Sequence, residues 1–173
     1  MKYVNMTDIN ILTPDKEPGN AGESAKIGEA IELLFFAYRD FTSDPDVILA
    51  RSDYGRAHHR ILHFVGAYPG INVAQLLGIL RITKQSLGRV LKQLLKQGFV
   101  EQRPGRHDRR QRLLYLTAKG REFEARLSTP QQERVRRAFA AAGPDAVAGY
   151  LKVLEHLINE AERKIILDAI KRG

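Results

Sequence analysis

The chain has 173 residues, 43% of them apolar, which is enough for an ordinary domain with a packed core. It contains no cysteine, and this excludes disulfides, thiolate metal sites, cysteine nucleophiles and thiol-based sensing of oxidants. The N-terminus lacks an apolar signal segment, and no run reaches the roughly 18 apolar residues that span a membrane. We therefore expect a soluble, cytoplasmic protein with no membrane partner.

The net charge of +8 is concentrated in the middle of the chain. Residues 1–50 carry a net charge of −5, residues 51–128 carry +11, and residues 129–173 carry +2. This concentration indicates a surface for a polyanion, because a charge that serves only solubility would be spread more evenly. A solvated basic surface without a partner is the alternative.

The N-terminal part predicts an arm followed by a helix. Residues 1–22 are polar and rich in turn-forming residues, so we expect a flexible arm. The next segment predicts a helix over residues 23–43 that ends at the sequence TSDPD. Its apolar stripe is narrow enough for a seam between two helices. The stripe comprises Ile27, Ile31, Leu34, Tyr38 and Phe41.

Three shorter helices and two strands are predicted next. Ser52 or Asp53 is expected to cap the first helix and Asn72 the second, whereas the third begins at Thr83 and ends before Gly98. The strands FVEQR and RLLYLT flank the loop PGRHDRRQ. One face of the first helix is expected to carry Tyr54, His58, Ile61 and Val65.

The C-terminal part predicts two long helices. A fresh helix is expected at Thr129-Pro130, where a capping residue precedes a proline, and it ends at Ala142–Pro144. The final helix carries the apolar stripe Val147, Leu151, Leu154, Ile158, Ala161 and Ile165. The whole order of elements predicts a mostly α fold with a small β-hairpin wing. A winged helix-turn-helix lobe over residues 52–120 lies between the N-terminal helix and the helices of residues 121–173.

The third short helix carries the candidate DNA-reading residues. At about 100° per residue, Gln85, Arg89, Lys92 and Lys96 form one polar stripe opposite an apolar face. The second helix of a helix-turn-helix pair enters the major groove, where Arg binds guanine and Gln binds adenine. We expect base contacts from Arg89 and Gln85, and phosphate contacts from Lys92 and Lys96. Further DNA contacts are expected from Thr83, Lys84 and Ser86. An ordinary amphipathic surface helix would show the same polar face.

The hairpin loop adds a second cluster of positive charge. Arg103, Arg106, Arg109, Arg110 and Arg112 surround it, with Asp108 as the counter-charge. An arginine at the tip can enter a narrow minor groove, and Asp108 is close enough to orient the guanidinium of Arg110. The expected DNA-binding residues of the wing are Arg106, Asp108, Arg109 and Arg110. The alternative is a charged hairpin with no partner.

The segment from about Tyr54 to Gly120 resembles the multiple antibiotic resistance regulator (MarR) family of bacterial transcription factors. The resemblance rests on ITKQSLGRVLKQLLKQGFV and on DRRQRLLYLTAKG, in which Asp-x-Arg precedes a strand ending in Leu-Thr-x-x-Gly. It implies a pseudopalindromic operator, and an arginine at position 110 that reaches the minor groove while Asp108 holds it. The sequence departs from the family at Gly88, where many relatives carry Thr. Glycine in a helix interior costs about 1 kcal/mol relative to alanine, so either the helix approaches something closely there or a base contact is missing.

The resemblance also implies a homodimer with intertwined N- and C-terminal helices. The alternative is that both apolar stripes close a monomeric core, but a winged lobe with long helices on both sides favours a shared one. The expected dimerisation residues are Ile27, Ile31, Leu34, Leu151, Leu154 and Ile158.

Relatives in this family often bind a small effector between the dimer helices and the DNA-binding lobe. Aromatic side chains with a few polar groups suit an aromatic acid, whose carboxylate Arg39 or a histidine would pair. The expected ligand-binding residues are Tyr38, Arg39, Tyr54, His58, His59 and His63. The alternative places them in the core or among exposed helix residues. His59 and His63 also have zinc-ligand spacing, with Asp53 or a residue of a partner chain as a further ligand. Such pairs are common by chance, and we expect no metal and no cofactor.

These features favour a ligand-responsive, homodimeric repressor that binds double-stranded DNA. The alternative is a winged-helix module for protein–protein assembly, whose basic face would bind an acidic partner. An enzyme is disfavoured, because the sequence contains no phosphate-binding glycine motif, no HExxH motif and no recognisable triad.

Overall fold

The computed structural model describes residues 21–105 and 108–172. These residues form, in chain order, α1 (Ala21–Leu49), α2 (Arg56–Ala67), β1 (Ile71–Asn72), α3 (Val73–Leu80), α4 (Lys84–Lys96), β2 (Val100–Pro104), β3 (Arg112–Leu116), α5 (Ala118–Ala142), α6 (Pro144–Leu157) and α7 (Glu160–Ile170). The predicted mostly α fold with a small wing is confirmed. No described helix combines the length and the apolar character that crossing a bilayer requires. The predicted arm lies outside the described residues, except for its last two, which belong to α1.

The chain divides into an N-terminal unit that ends at Arg39 and a C-terminal unit that begins at Asp40. The N-terminal unit contributes the first part of α1, whose large apolar side chains are exposed. They are Ile27, Ile31, Leu33, Leu34, Phe35, Phe36 and Tyr38. Within this unit, the Phe35 and Phe36 rings meet edge to face and the Arg39 guanidinium lies 4.9 Å from the Phe36 ring centre.

Helix α1 continues through Pro45 to Leu49, so the prediction that TSDPD ends it was wrong. A proline has no N–H for the carbonyl four residues earlier, which is that of Phe41. The side-chain amide of Gln131 on α5 donates to this carbonyl at 2.9 Å. Next to this bond, Arg134 forms two hydrogen bonds to Asp44, at 2.7 and 2.9 Å. These contacts from α5 allow the helix to pass its proline.

Helix α2 begins at Arg56 and has Gly55 as its N-cap, so the expected caps Ser52 and Asp53 were wrong. The Ser52 hydroxyl instead donates to the Leu49 carbonyl at 2.9 Å, where α1 ends. His58 takes part in the cap, because its Nδ1 accepts from the Gly55 N–H at 3.0 Å.

Helices α3 and α4 form the helix-turn-helix, and their predicted caps are confirmed. The Asn72 side chain accepts from the Gln75 N–H at 2.9 Å, and the Thr83 side chain accepts from the Ser86 N–H at 3.1 Å. Between the helices, Arg81 adopts a left-handed conformation with φ +50°. Its side chain forms an ion pair with Glu162 on α7.

The sheet has three strands rather than the two that were predicted, in the order β1-β3-β2. All neighbours are antiparallel, with Ile71 opposite Leu114 and Val100 opposite Leu116. Strand β1 has two residues, which is too short to show the alternation by which a strand is predicted.

Helix α5 runs without interruption from Ala118 to Ala142, so the fresh helix expected at Thr129-Pro130 was wrong. The Thr129 hydroxyl donates back to the Ala125 carbonyl at 2.7 Å instead of capping a new helix. Leu127 and Ser128, three and two residues before the proline, are buried and hold the helix in place. The prediction of a single final helix was also wrong, because α6 ends at Leu157 and a separate helix, α7, begins at Glu160. Arg163 stabilises this break, since its guanidinium donates to the carbonyls of His156 and Ile158 at 3.1 Å.

The core of the C-terminal unit lies between α2, α3, α4, the sheet and the first half of α5. Its fully buried side chains include Ile61, Leu62, Leu76, Leu87, Leu94, Leu114 and Leu127. In contrast, no described residue of α6 or α7 is buried.

Candidate nucleic-acid interface

Helix α4 presents two opposite faces, as its sequence predicted. Its apolar face is buried in the core through Leu87, Val90, Leu91 and Leu94. The residues predicted to bind DNA are all exposed, and they are Thr83, Lys84, Gln85, Ser86, Arg89, Lys92 and Lys96. Packing of the apolar face therefore fixes the helix while its cationic face points to solvent.

Backbone hydrogen bonds join the described residues of the wing's loop. The Gly105 N–H donates to the Gln111 carbonyl at 3.0 Å, and the Gln111 N–H donates to the Asp108 carbonyl at 3.1 Å. A Cβ on Gly105 would lie 2.7 Å from the Asp108 carbonyl oxygen, so the close turn requires glycine here. Asp108, Arg109 and Arg110 are exposed. Arg106 lies outside the described residues.

Asp108 holds Arg110 by its backbone. The carboxylate Oδ1 accepts from the Arg110 N–H at 2.8 Å, whereas a bond to the guanidinium had been expected. The two residues are only two apart, which is the spacing of an Asx-turn, so the nearest donor is the backbone. The Arg110 side chain is exposed at the tip of the wing.

Arg103 on β2 is a further cation of the wing. Its guanidinium lies 4.6 Å from the centre of the Tyr115 ring on β3, and its Nε donates to Glu101 at 3.0 Å.

The Leu-Thr-x-x-Gly sequence after the wing has a structural explanation. The Thr117 hydroxyl donates to the Gly98 carbonyl at 2.6 Å and accepts from the Gly120 N–H at 3.0 Å, so it joins the end of α4 to the start of α5. A Cβ on Gly120 would collide with the Phe99 carbonyl oxygen. Lys119 adds a bond from its ammonium to the Gln97 carbonyl at 2.8 Å. The motif therefore fixes the start of α5 against the end of α4.

The predicted ligand-binding histidines all have partners within the C-terminal unit. His58 contacts Gln93, with 2.9 Å between Nε2 and Oε1, and it is buried. His59 is also buried, with its Nε2 3.5 Å from the Ser128 hydroxyl. Half-exposed His63 has its Nδ1 3.5 Å from Oε1 of Glu124.

His59, His63, Glu124 and Ser128 form a cluster between α2 and α5. The Ser128 hydroxyl donates to Glu124 at 2.5 Å. Burial and the nearby His63 lower the pKa of His59. The hydrogen bond with His63 is the main reason that the pKa of Glu124 is lowered. In the described part of the chain, no three His, Asp or Glu side chains are grouped so that they could hold a metal ion.

The remaining predicted ligand-binding residues belong to different units of the chain. Tyr54 packs edge to face on His58 and Phe99, with ring centres 5.2 and 5.5 Å apart. Tyr38 and Arg39 belong to the N-terminal unit, and Tyr38 is half exposed.

A cavity of about 430 Å³ opens beside α5 in the C-terminal unit. Its walls are mostly apolar, and of the predicted ligand-binding residues it includes His63. The lining residues are Phe41, His63, Ser128, Gln131, Gln132, Val135, Arg136 and Phe139.

Comparison with known proteins identifies the family. A family model described as the MarR family matches residues 52–111. The chain is also 52% identical over 139 residues to the HTH-type transcriptional regulator PetP of Rhodobacter capsulatus, and this alignment covers 80% of the chain and 84% of PetP. The chain belongs to the MarR family. This is a family of transcription regulators rather than of enzymes.

Solved structures show the MarR-family fold. The chain is similar to Streptococcus pneumoniae FabT in complex with DNA, with a TM-score of 0.65, 22% identity, and coverage of 76% of this chain and 94% of that one. A MarR-family regulator from Silicibacter pomeroyi gives a TM-score of 0.65 and 21% identity, with coverage of 77% and 93%.

Sequence reasoning did not identify Gln93 or Gln131 as important in this MarR-family chain. Gln93 lies at the edge of the buried face of α4, and a polar residue at such an edge is a candidate for a contact with a neighbouring helix. The role of Gln131 could be predicted only if α1 were already known to continue through Pro45. In that case the Phe41 carbonyl needs a hydrogen-bond donor from another element, and Gln131 supplies it.

Proposed function

We propose that this MarR-family chain is a sequence-specific DNA-binding regulator, which reads the major groove with α4 and the minor groove with the wing. The observation that carries the proposal is the exposure of the cationic stripe of α4 opposite an apolar face that the core fixes. Residues 51–128, which include α4 and the wing, also hold the excess of positive charge. Such a surface attracts the phosphates of DNA through counterion release.

The exposed polar residues of α4 have different expected roles. We assign base edges to Arg89 and Gln85, and phosphates to Lys92 and Lys96, which follow further along the stripe. Arg110, with its backbone held by Asp108, is the candidate for the minor groove.

We assign the dimer to the apolar surfaces of α1 and of the C-terminal helices. Ile27, Ile31 and Leu34 are each at least 50% exposed, and Leu151 on α6 is 47% exposed. Large apolar surfaces of this kind are unfavourable in water, and a second copy of the chain would cover them. Two recognition helices in one dimer would then bind the two halves of a pseudopalindromic operator. A regulator of this kind works where the chromosome is, in the bacterial cytoplasm.

The cavity beside α5 is the candidate effector site. Its volume lies in the range of small-molecule pockets, its walls are mostly apolar, and His63 and Arg136 can pair an anionic group. These features suit a small aromatic acid. Such an effector would relieve repression by binding more tightly to the conformation that does not bind DNA.

Benzoate is a suitable first probe of this cavity. The Val135→Trp substitution would fill the cavity, and we expect it to remove any response of DNA binding to benzoate.

The deciding experiment is fluorescence anisotropy with a duplex from upstream of the protein's own gene and a scrambled duplex, from about 50 to 200 mM salt. We expect a preference of about a thousandfold for the native duplex and a steep dependence on salt. Equal and weak binding to both duplexes contradicts an operator at that place. Selection of bound fragments from the whole genome would then separate an operator elsewhere from the alternative of an acidic protein partner.

Two variants test the assigned roles. Arg89→Ala should weaken the free energy of binding to the native duplex by about 1–3 kcal/mol and relax specificity at one base pair. An equal loss of affinity for both duplexes would instead identify Arg89 as a phosphate contact. Arg110→Ala should weaken binding and reduce any preference for A·T-rich flanks. Arg137→Ala, on the second half of α5, is the control for the loss of one positive charge.

A further inference from the structure

His58 on α2 is hydrogen-bonded at both ring nitrogens. Its Nδ1 receives the Gly55 N–H at 3.0 Å, and a backbone N–H can only donate. Nδ1 therefore carries no proton, and the neutral ring has its proton on Nε2. This N–H donates to Oε1 of Gln93 on α4 at 2.9 Å.

The surroundings hold the ring of His58 in one orientation. The side chain is 8% exposed, and the Tyr54 ring meets it edge to face with centres 5.2 Å apart. Tyr54 in turn packs on Phe99 and Phe123 with both centre distances at 5.5 Å. His58 does not line the cavity beside α5.

Gln93 lies at the border between the two faces of α4. It is half-buried, next to exposed Lys92 and buried Leu94, and it follows Arg89 by one helical turn. Apolar packing holds the helix against the core but depends little on direction. A hydrogen bond at the border does depend on direction, so it resists rotation of α4 about its own axis. Such a rotation would move the side chain of Arg89 relative to a bound base.

We propose that His58 and Gln93 form a clamp that sets the rotation of the recognition helix and thereby the register of Arg89 on DNA. Both are positioning residues in this assignment, and His58 is not an effector ligand. The inference rests on the proposed DNA-binding function, and it adds a specificity-determining contact that itself does not touch DNA.

The test uses Gln93→Met, His58→Phe and the double variant, which remove the bond and keep the volume nearly constant. Gln97→Met, an exposed position at the end of the same helix, is the matched control. Affinity for the native and the scrambled duplex is measured across salt concentrations, with circular dichroism and urea unfolding to confirm that each variant is folded.

We expect Gln93→Met to lower the affinity for the native duplex about tenfold, which corresponds to the loss of one hydrogen bond. The affinity for the scrambled duplex and the salt dependence should stay unchanged. The double variant should be no worse than His58→Phe alone, because His58→Phe already removes this bond together with the cap bond to Gly55. A purely structural role would lower the unfolding midpoint and leave the ratio of the two affinities constant, and this would overturn the clamp. Equal losses on both duplexes would overturn it too.

Nitrogen-15 NMR of the imidazole gives a readout that is independent of DNA. The wild type should show the neutral ring with its proton on Nε2, and Gln93→Met should shift that signal. A proton on Nδ1 would overturn the clamp whatever the DNA results. If the wild type shows the expected tautomer but prefers no duplex selected from the genome over the scrambled one, the proposed function fails and the role in recognition fails with it, while the bond itself stands.

Discussion

Gly88 is an unusual residue for the middle of a recognition helix. A Cβ added there would meet no atom of the protein within 4 Å, so internal packing does not require glycine. Gly88→Ala should therefore raise the free energy of unfolding by about 0.5–1 kcal/mol, because alanine loses less backbone entropy in a helix. Urea unfolding measures this, and Gly78→Ala on α3, which is equally open, is the control.

DNA binding by the same variant decides why the glycine is there. A helix that approaches DNA more closely than a Cβ permits would gain stability from Gly88→Ala and lose affinity for its operator. Unchanged affinity would instead mean that a base contact is missing at this position. Gly78→Ala should leave the affinity as it is. A drop in stability with Gly88→Ala would contradict the open helical geometry itself.

His59 makes the stability of the fold depend on pH. Burial first, and then the positive charge of His63, lower its pKa below the usual 6.5 of histidine, while Glu124 and Asp46 act in the opposite direction. The unfolded chain therefore binds a proton more readily than the folded chain. This contribution to stability is complete above about pH 6.5 and decreases as the pH falls through 6.5 towards the lower pKa of the folded state.

The measurement is urea unfolding from about pH 8 to 5. The free energy of unfolding should decrease with acidification in the wild type, and His59→Gln should flatten that part of the curve. Ser128→Ala serves as the control, since it removes the hydroxyl beside His59 but leaves the imidazole buried. If His59→Gln keeps the full slope, another group causes it.

At the scale of helices, α1 and α5 are coupled through the proline at position 45. The Phe41 carbonyl receives its hydrogen bond from Gln131 because Pro45 has no N–H to give. Gln131→Met should lower the free energy of unfolding by about 1–3 kcal/mol, since it leaves the partly buried Phe41 carbonyl without a hydrogen-bond donor. In a Pro45→Ala background the alanine N–H can reach that carbonyl, so the same change should cost much less. A double-mutant cycle by urea unfolding measures this coupling.

The neighbouring Gln132→Met is the control for this cycle, because Gln132 is exposed and also borders the cavity. It should show no coupling to Pro45→Ala. Equal costs of Gln131→Met in both backgrounds would mean that the bond to Phe41 contributes little and that apolar packing alone carries α1 past its proline.

The same contact explains which elements the sequence predicts well. Caps such as Asn72 and Thr83 act within four residues of the helices they start, so local sequence is sufficient to find them. The continuation of α1 depends on Gln131, which is 90 residues away, and no local pattern contains that information. The cap of α2 was missed for a related reason, because the residue that completes it is a histidine, which is not a usual capping residue.

The candidate DNA-binding site likewise has features that local sequence predicts and features that it does not. The periodicity of α4 alone indicated which residues would be exposed and which buried, since one side of the helix must face the core. The contact between His58 and Gln93 joins two helices whose relative rotation is a result of packing. On α2, His58 and His59 are buried whereas His63 borders the cavity, because different sides of one helix face different neighbours.

At the scale of the whole molecule, α6 and α7 expose large apolar residues, and we propose that a partner covers them. Tyr150, Leu151, Val153, Leu157 and Ile165 are all at least 47% exposed, which is unfavourable for a chain alone in water. With a second copy as that partner, Leu151→Glu would place a carboxylate in an apolar interface. The dissociation constant of the dimer should rise by at least about tenfold in this variant, and analytical ultracentrifugation measures that constant.

DNA binding then follows from the oligomeric state. A dimer holds two recognition helices at a fixed distance, so its affinity for a two-half operator exceeds that for one half by the effect of bivalence. Leu151→Glu should lose this advantage and keep the weaker binding to a half-site, because α4 and the wing are unchanged. Lys152→Gln, one residue further on the same helix, lowers the net charge by the same one unit at a different angle and controls for charge. If Leu151→Glu remains dimeric and binds the full operator as the wild type does, this side of α6 is not the interface, and the exposed face of α1 around Ile31 becomes the place where the two copies meet.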